Sequence, residues 1–205
     1  MDEIGLFPLG LVLLPTERVP LHIFEPRYRE LIEECLDERC EFGVVFGGDE
    51  ETLGIGTRAS VTEVLNRFSD GRLDIVAAGG TRFRIVEQTE GRSFLTAEVE
   101  AYDDVLDPGS EADVAQALAL FQKLVDLTGS DVDAPDATSS QLSFELAARF
   151  DFAPPLKQEL LEEQSERLRL QRLCEMFEKA AEVVARQLEV AALASTNGHA
   201  KPGGS

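Results

Sequence analysis

Basic residues are scarce in this sequence. Its 205 residues hold 19 Lys and Arg against 39 Asp and Glu, a net charge of −20. Both halves share the deficit, −13 over residues 1–107 and −7 over 108–205, and no long basic block interrupts it. A phosphate backbone would be repelled, so nucleic acid is not an expected partner. Such a surface also favours solubility, which suits a protein that handles sticky partners. No apolar run reaches the roughly 18 residues that mark a membrane-spanning helix, so no membrane contact is expected. The opening "MDEIGLF" has neither the basic start nor the cleavable apolar core of a secretory signal. The three cysteines, Cys35, Cys40 and Cys174, are odd in number and too sparse for a disulfide scaffold. Reduced thiols and a cytoplasmic location are the expectation.

Catalytic templates are missing as well. There is no GxxxxGK[ST] phosphate loop, and "GIGTRA" (54–59) lacks the third glycine of a dinucleotide fingerprint. There is no GxSxG nucleophile elbow. Of two histidines, His199 falls in a glycine-rich tail, which leaves His22 alone to serve a thiol or a metal. A metal needs three or four converging ligands, and Cys35 and Cys40 do not form a CxxC. Glu33-Glu34 and Glu162-Glu163 lie on polar helix faces, where carboxylates are solvated. The expectation is no catalysis, no metal and no cofactor.

Hydrophobic residues, at 43%, are ample for a core. Residues 4–107 read mainly as strands. "EFGVVFG" (41–47) is a short buried run, and "IGTRASVTEVLNRF" (55–68) contains period-two alternation. "SDGR" (69–72) predicts a type I′ hairpin turn. "LDIVAAGGTRFRIVEQ" (73–88) predicts two strands flanking Gly79-Gly80. "FLTAEVEAYDD" (94–104) closes the series, and "GDEETLG" (48–54) reads as a mobile polar loop. After "DPGS" the period becomes helical. Ser110 with Asp113 forms a weak capping box ahead of Val114, Ala117, Leu118, Phe121, Leu124 and Val125. "QLSFELAARF" (141–150) is a shorter helix, and Pro155 suits the first turn of another. Leu156, Leu160, Leu161, Leu168, Leu173, Phe177, Ala181, Val184, Leu188 and Ala192 then predict an apolar stripe, bent near Gln164-Ser165. The organisation is therefore a β-rich part over 1–107, a helical bundle over 108–194 and a disordered tail over 195–205.

The densest stretch is "VPLHIFEPRYRELIEEC" (19–35). Pro26 takes the first position of a helix, and Tyr28, Leu31, Ile32, Cys35 and Leu36 fall on one face. Cys35 reads as a small core residue. Arg27 and Arg29 are the candidates for contact with a partner, against the plainer reading of a solvated helix face.

These residues carry a resemblance. "LFPLGLVLLPTERVPLHIFEPRYRELIEECL" (6–36) closely resembles the opening of the Lon substrate-binding domain, the N-terminal domain of ATP-dependent Lon proteases. "GIGTRASVTEVLNRFSDGRLDIVAAGGTRFRIVE" (54–87) is similar to its central hairpin and G-x-x-R-F strand, and "PLKQELLEEQSERLRLQRLCEMF" (155–177) to its closing helix pair. Together they span about 6–190. One departure stands out: Thr16 follows Pro15 where the family often has glycine. The resemblance implies an α+β fold, a PUA-like β pseudo-barrel followed by a helical bundle with one long helix. It implies the substrate-recognition part alone, a stand-alone bacterial form without the ATPase and protease domains. The expected function is non-catalytic binding of unfolded or degron-bearing polypeptides, as an adaptor or holdase. The alternative is a regulatory or assembly protein that binds one folded partner or a second copy of itself. An RNA-binding role would need a local basic patch around Arg82, Arg84 and Arg92.

Overall fold

The computed structural model describes residues 2–48 and 52–197. In chain order the elements are β1 (Asp2–Leu9), β2 (Arg18–Ile23), α1 (Pro26–Glu38), β3 (Phe42–Gly47), β4 (Thr52–Arg67), β5 (Leu73–Thr89) and β6 (Thr96–Ala101). They continue with α2 (Glu111–Thr128), α3 (Leu142–Ala147), α4 (Pro154–Glu162) and α5 (Glu166–Asn197). The sheet runs β2-β5-β4-β3-β1-β6, and β6 returns to pair with β5. Five strands thus close on themselves, with β2 added beside the first half of β5. All pairings are antiparallel except β1 with β3. Closure removes the free edges of those five strands and leaves the short β2, which pairs with β5, as the edge strand.

Two local expectations change. β5 is one strand of 17 residues, not two. It bends at Gly79-Gly80: residues 73–78 pair with β2 and the far end of β4, and residues 83–89 pair with β6. Glycine is required at 79, because a Cβ there would lie 2.1 Å from the Leu14 carbonyl oxygen. The hairpin at 69–72 is not type I′. Gly71 alone has positive φ, +87°, and the Gly71 N–H donates to the Phe68 carbonyl while Phe68 N–H donates to Arg72. That is a three-residue loop closed by a glycine bulge, which keeps Ser69 and Asp70 out of the strained left-handed region.

The helices begin where local chemistry places them. Ser110 accepts from the Asp113 N–H and Asp113 accepts from the Ser110 N–H, a reciprocal cap. Proline opens α1 and α4. The α4–α5 break falls at residues 163–165. The phase of α5 differs from the expected stripe at its start. Leu168 is 40% exposed, while Leu170, Leu173, Cys174, Met176 and Phe177 are buried. α5 continues through Asn197, past the expected boundary at 194; residues 198–205 lie outside the described residues, as do 49–51 of the loop expected to be mobile.

Three apolar clusters hold the chain together. One fills the barrel around Leu6 and Phe83, and one packs α1 on the sheet through Tyr28, Ile32 and Phe42. The largest joins the halves: Val12, Leu14 and Ile55 meet Phe121, Phe144, Leu161 and Phe177 of the helices. A buried ion pair reinforces that seam. Lys157 Nζ of α4 donates to both carboxylate oxygens of Glu17 at 2.6 and 2.7 Å, and Glu17 also accepts from the Leu14 N–H at 2.9 Å.

Candidate binding groove

The segment 102–110 leaves the barrel and crosses the junction of α4 and α5. Its backbone is stitched there: Val105 N–H donates to the Gln164 carbonyl at 3.0 Å, and Arg167 N–H donates to the Asp107 carbonyl at 3.1 Å. The side chain of Arg167 also pairs with the Asp107 carboxylate at 3.0 Å.

Where the strap meets the bundle lies a knot of charge, with Arg82, Arg169 and Glu166 buried and the strap's Asp104 side chain 32% exposed. Arg169 of α5 is fully buried. It donates to Asp104 at 2.6 Å, to Glu166 at 2.6 Å, to the Glu163 carbonyl at 2.7 Å and to Ser143 at 2.9 Å. Arg82 of β5, 5% exposed, donates to the Leu161 and Glu163 carbonyls at 2.7 and 2.8 Å and also to Asp104. Both guanidinium groups lie against the Phe144 ring, at 4.3 and 5.3 Å. Burial, with Arg169 adding repulsion, pulls Arg82 below its ordinary value despite Asp104. For Arg169 burial acts in the same sense, but Asp104 and Glu166 outweigh it and the net shift is upward. Two arginines face two carboxylates, so the knot is neutral, and its donors satisfy carbonyls left open at the end of α4. It ties barrel, strap and bundle at one point.

Above the knot is a groove of about 630 Å³ between barrel and bundle. Its floor rests on the buried Leu142, Phe144 and Leu170, its accessible apolar wall comes from Pro108, Val114 and Ala137, and the strap forms one lip. At that lip Val105 is 54% and Leu106 101% exposed. The backbone beneath them is held by the Val105 hydrogen bond, and among the described residues none covers either side chain. Of the lining carboxylates, Asp103 is exposed, Asp107 pairs with Arg167, and Glu166 is buried in the knot. Hydrogen bonds from Arg167 and Ser165 hold the Asp107 carboxyl below its usual range.

The sequence candidates lie elsewhere and apart from each other. Arg27 donates to Glu25 at 2.9 Å, covers the Tyr28 ring at 4.5 Å, and lines a hollow of about 250 Å³ with Phe7, His22 and the 60%-exposed Phe24. Arg29 points the other way. It donates to the Asp70 carbonyl and lies against Gly71, pinning the β4–β5 turn to α1. His22 pairs with Asp74 at 2.6 Å. The three arginines of the conceivable basic patch are dispersed: Arg82 is buried, Arg84 pairs with Glu100, and Arg92 pairs with Glu34. Among the described residues no three His, Cys, Asp or Glu side chains converge on a metal-sized point, and no helix is long and apolar enough to cross a membrane. The groove carried no local signal in the sequence beyond "DVLDP", an apolar pair inside an acidic connector.

Comparison with known proteins agrees with the fold. The family model of the ATP-dependent protease La (LON) substrate-binding domain matches residues 3–179. Lon protease 2 of Syntrophobacter fumaroxidans is 30% identical over 146 residues, covering 64% of this chain and 18% of that protein. Lon protease of Paraburkholderia phytofirmans is 27% identical over 204 residues, covering 91% of this chain and 24% of that protein. The chain thus spans about a fifth to a quarter of these curated relatives. The crystal structure of a Lon N-terminal domain protein from Xanthomonas campestris superposes with a TM-score of 0.66 at 26% identity, covering 84% of this chain and 97% of that one. The N-terminal domain of Mycobacterium avium complex Lon protease superposes with a TM-score of 0.68 at 18% identity, covering 86% and 98%.

Proposed function

We propose, since the chain belongs to the family of Lon substrate-binding domains, that it is a non-catalytic module which binds unfolded polypeptides in the groove between barrel and bundle. The observation that carries this reading is the fixed, solvent-facing Val105–Leu106 lip above an apolar wall. An extended segment would bury its own apolar side chains against Val105, Leu106 and Val114, and the exposed Asp103 carboxylate at the opening would favour a basic flank. Arg27, in its separate hollow beside Phe24, is a secondary contact, while Arg29 positions the hairpin. Adaptor and holdase roles both follow from such binding, and neither requires turnover. Purified protein should hydrolyse neither ATP nor casein.

The test is a titration of a labelled, permanently unfolded client followed by fluorescence anisotropy. Affinity in the micromolar range, about −8 kcal/mol, is expected. Leu106→Asp should weaken it about tenfold, some 1.4 kcal/mol, without changing the melting temperature, because Leu106 supports no fold contact. An unchanged affinity refutes the groove, and binding of a labelled RNA in place of the client refutes the whole reading.

A second reading rests on α5. Val183 and Val190, seven residues apart, share one face of it and are both more than half exposed. Lys179 and Arg186 lie one turn before them and Glu182 and Glu189 directly precede them, so the face carries both signs, which suits antiparallel pairing with a second copy. Light scattering across a concentration series, with Val190→Asp as control, distinguishes a dimer from a monomer.

A further inference from the structure

The C-terminus of α1 holds two thiols that the binding reading does not use. α1 ends at Arg39, whose φ of 56° and ψ of 39° are left-handed. The N–H groups of Arg39 and Cys40 both turn back to the Cys35 carbonyl, Cys40 at 3.2 Å. Many helices close with this reversal, and it brings the residue after the left-handed position against the one a turn back in the helix. Those positions commonly hold apolar side chains; here both hold cysteine. Their sulfurs are 3.2 Å apart, against about 2.05 Å for a bonded pair. The proximity therefore follows from the helix cap itself, so any state that keeps α1 keeps the pair together.

The two thiols are not equivalent. Cys35 is buried among Tyr28, Ile32 and Phe42, and Cys40 is exposed. Burial first, then the Cys40 sulfur, Glu34 and Glu38, push the Cys35 thiol well above its usual value. A reagent from solution reaches Cys40, with Cys35 directly behind it.

We propose that Cys35 and Cys40 form a dithiol modification site, closed to an intramolecular disulfide by exchange with a low-molecular-weight disulfide. The Cys40 thiolate attacks one sulfur of the small disulfide. The reagent's S–S bond breaks, and one small thiolate leaves with the electron pair and takes a proton from water. Cys35 then gives its proton to water and attacks the Cys40 sulfur, expelling the second small thiolate. Two protein thiols are oxidised by two electrons and one small disulfide is reduced to two thiols. Once Cys40 is in the mixed disulfide it no longer carries the charge that opposes ionisation of Cys35. Glu34 is answered by Arg92, but Glu38 and Glu41 outnumber Arg39 beside Cys40, and this favours a cationic reagent over an anionic one. The link is confined to residues 35–40, so it fixes the Arg39 turn and leaves the groove untouched.

The folded full chain is treated with cystamine, unfolded, alkylated and digested with trypsin. Trypsin cuts after Arg39, so the expected bond joins two separate peptides, 30–39 and 40–58, which come apart on reduction. Cystamine should form it faster than oxidised glutathione. In Cys35→Ser the cysteamine adduct on Cys40 should persist, whereas in the wild type it should not accumulate. A wild-type digest that stops at that adduct, or that shows Cys40 joined to Cys40 of another molecule, overturns the proposal. The wild-type digest decides the matter even if Cys35→Ser does not fold.

Discussion

Thr16→Gly should stabilise the protein. Residues 14–17 form a tight turn in which Glu17 N–H donates to the Leu14 carbonyl at 3.2 Å, with Pro15 in the second position and Thr16, at φ 68°, in the third. This is the pattern of a type II turn, whose third position calls for glycine. A β-branched residue there is a backbone outlier. The left-handed conformation costs an L-residue about 1–2 kcal/mol. Glycine removes that cost but loses about 0.5–1 kcal/mol more conformational entropy on folding. The Thr16 side chain is exposed, so no packing is lost, while its N–H keeps the 2.9 Å bond to Gly79. The net gain is about 0.5–1 kcal/mol, and for a chain of this size each kcal/mol raises the melting temperature by about 2–4 °C. Thermal unfolding monitored by circular dichroism would detect this, with Thr16→Ala, which keeps a Cβ in the same strained conformation, as control. If glycine leaves the melting temperature unchanged or lowers it while alanine matches it, the strain argument is wrong.

Other perturbations follow from the same geometry. Phe177 is fully buried among Phe121, Phe150 and Phe152. Truncating such a ring costs about 3–5 kcal/mol, and Phe177→Asp adds an unpaired buried charge, so no cooperative melt should remain. Wild-type melting would contradict the packing of α5. Arg169→Met leaves Glu166 without a counter-charge and Asp104 with Arg82 alone, and should cost about 3–5 kcal/mol in urea unfolding. A loss near zero would mean the knot is not buried in solution. Hydrogen bonds from Arg167 and from Ser110 hold Asp107 and Asp113 below the usual carboxylate range. Their stabilisation is complete above the unfolded value near pH 4 and is lost as pH falls through the folded values. Asp107→Asn with Asp113→Asn should therefore flatten the acid limb of a stability–pH curve and leave its shape above pH 6 unaltered.

What the sequence disclosed and what it hid divide by range. Pro26, Ser110 with Asp113, and the α4–α5 break were legible because each depends on neighbours within a turn or two of the chain. The α5 stripe was legible in period but not in phase at its start. Spacings of three and four both fit a helix, so the pattern admits Leu168 as core in place of Leu170, and a buried Arg169 reads as solvent-facing in any pattern. Arg82 misled for the same reason. It alternates with Phe83 as an outward-facing residue should, but the bundle covers the outer face of β5 there. Its partners, Asp104 and the carbonyls of Leu161 and Glu163, lie 22, 79 and 81 residues away. The groove forms where those distant segments meet, so Arg27 and Arg29 stood out merely because they sit in a dense local motif.

The electrostatics of the groove differ from what net charge alone suggests. Taken alone, a total of −20 promises strong salt-dependent attraction for a basic client. Near the groove, however, most carboxylates are already answered: Asp104 and Glu166 by Arg82 and Arg169, and Asp107 by Arg167. Asp103 enters none of the ion pairs among the described residues and is exposed. Charges elsewhere on the surface are largely screened beyond about 8 Å at physiological ionic strength. The client's basic flank should therefore feel chiefly Asp103, and affinity should fall only modestly, a few-fold, when salt is raised to about 0.5 M. Asp103→Asn should remove most of that dependence while leaving the apolar contribution intact. Measuring client affinity against salt for the wild type and for this variant tests the argument. A steep slope that survives in Asp103→Asn would show that the polypeptide is held by the acidic surface at large and not by the Leu106 lip.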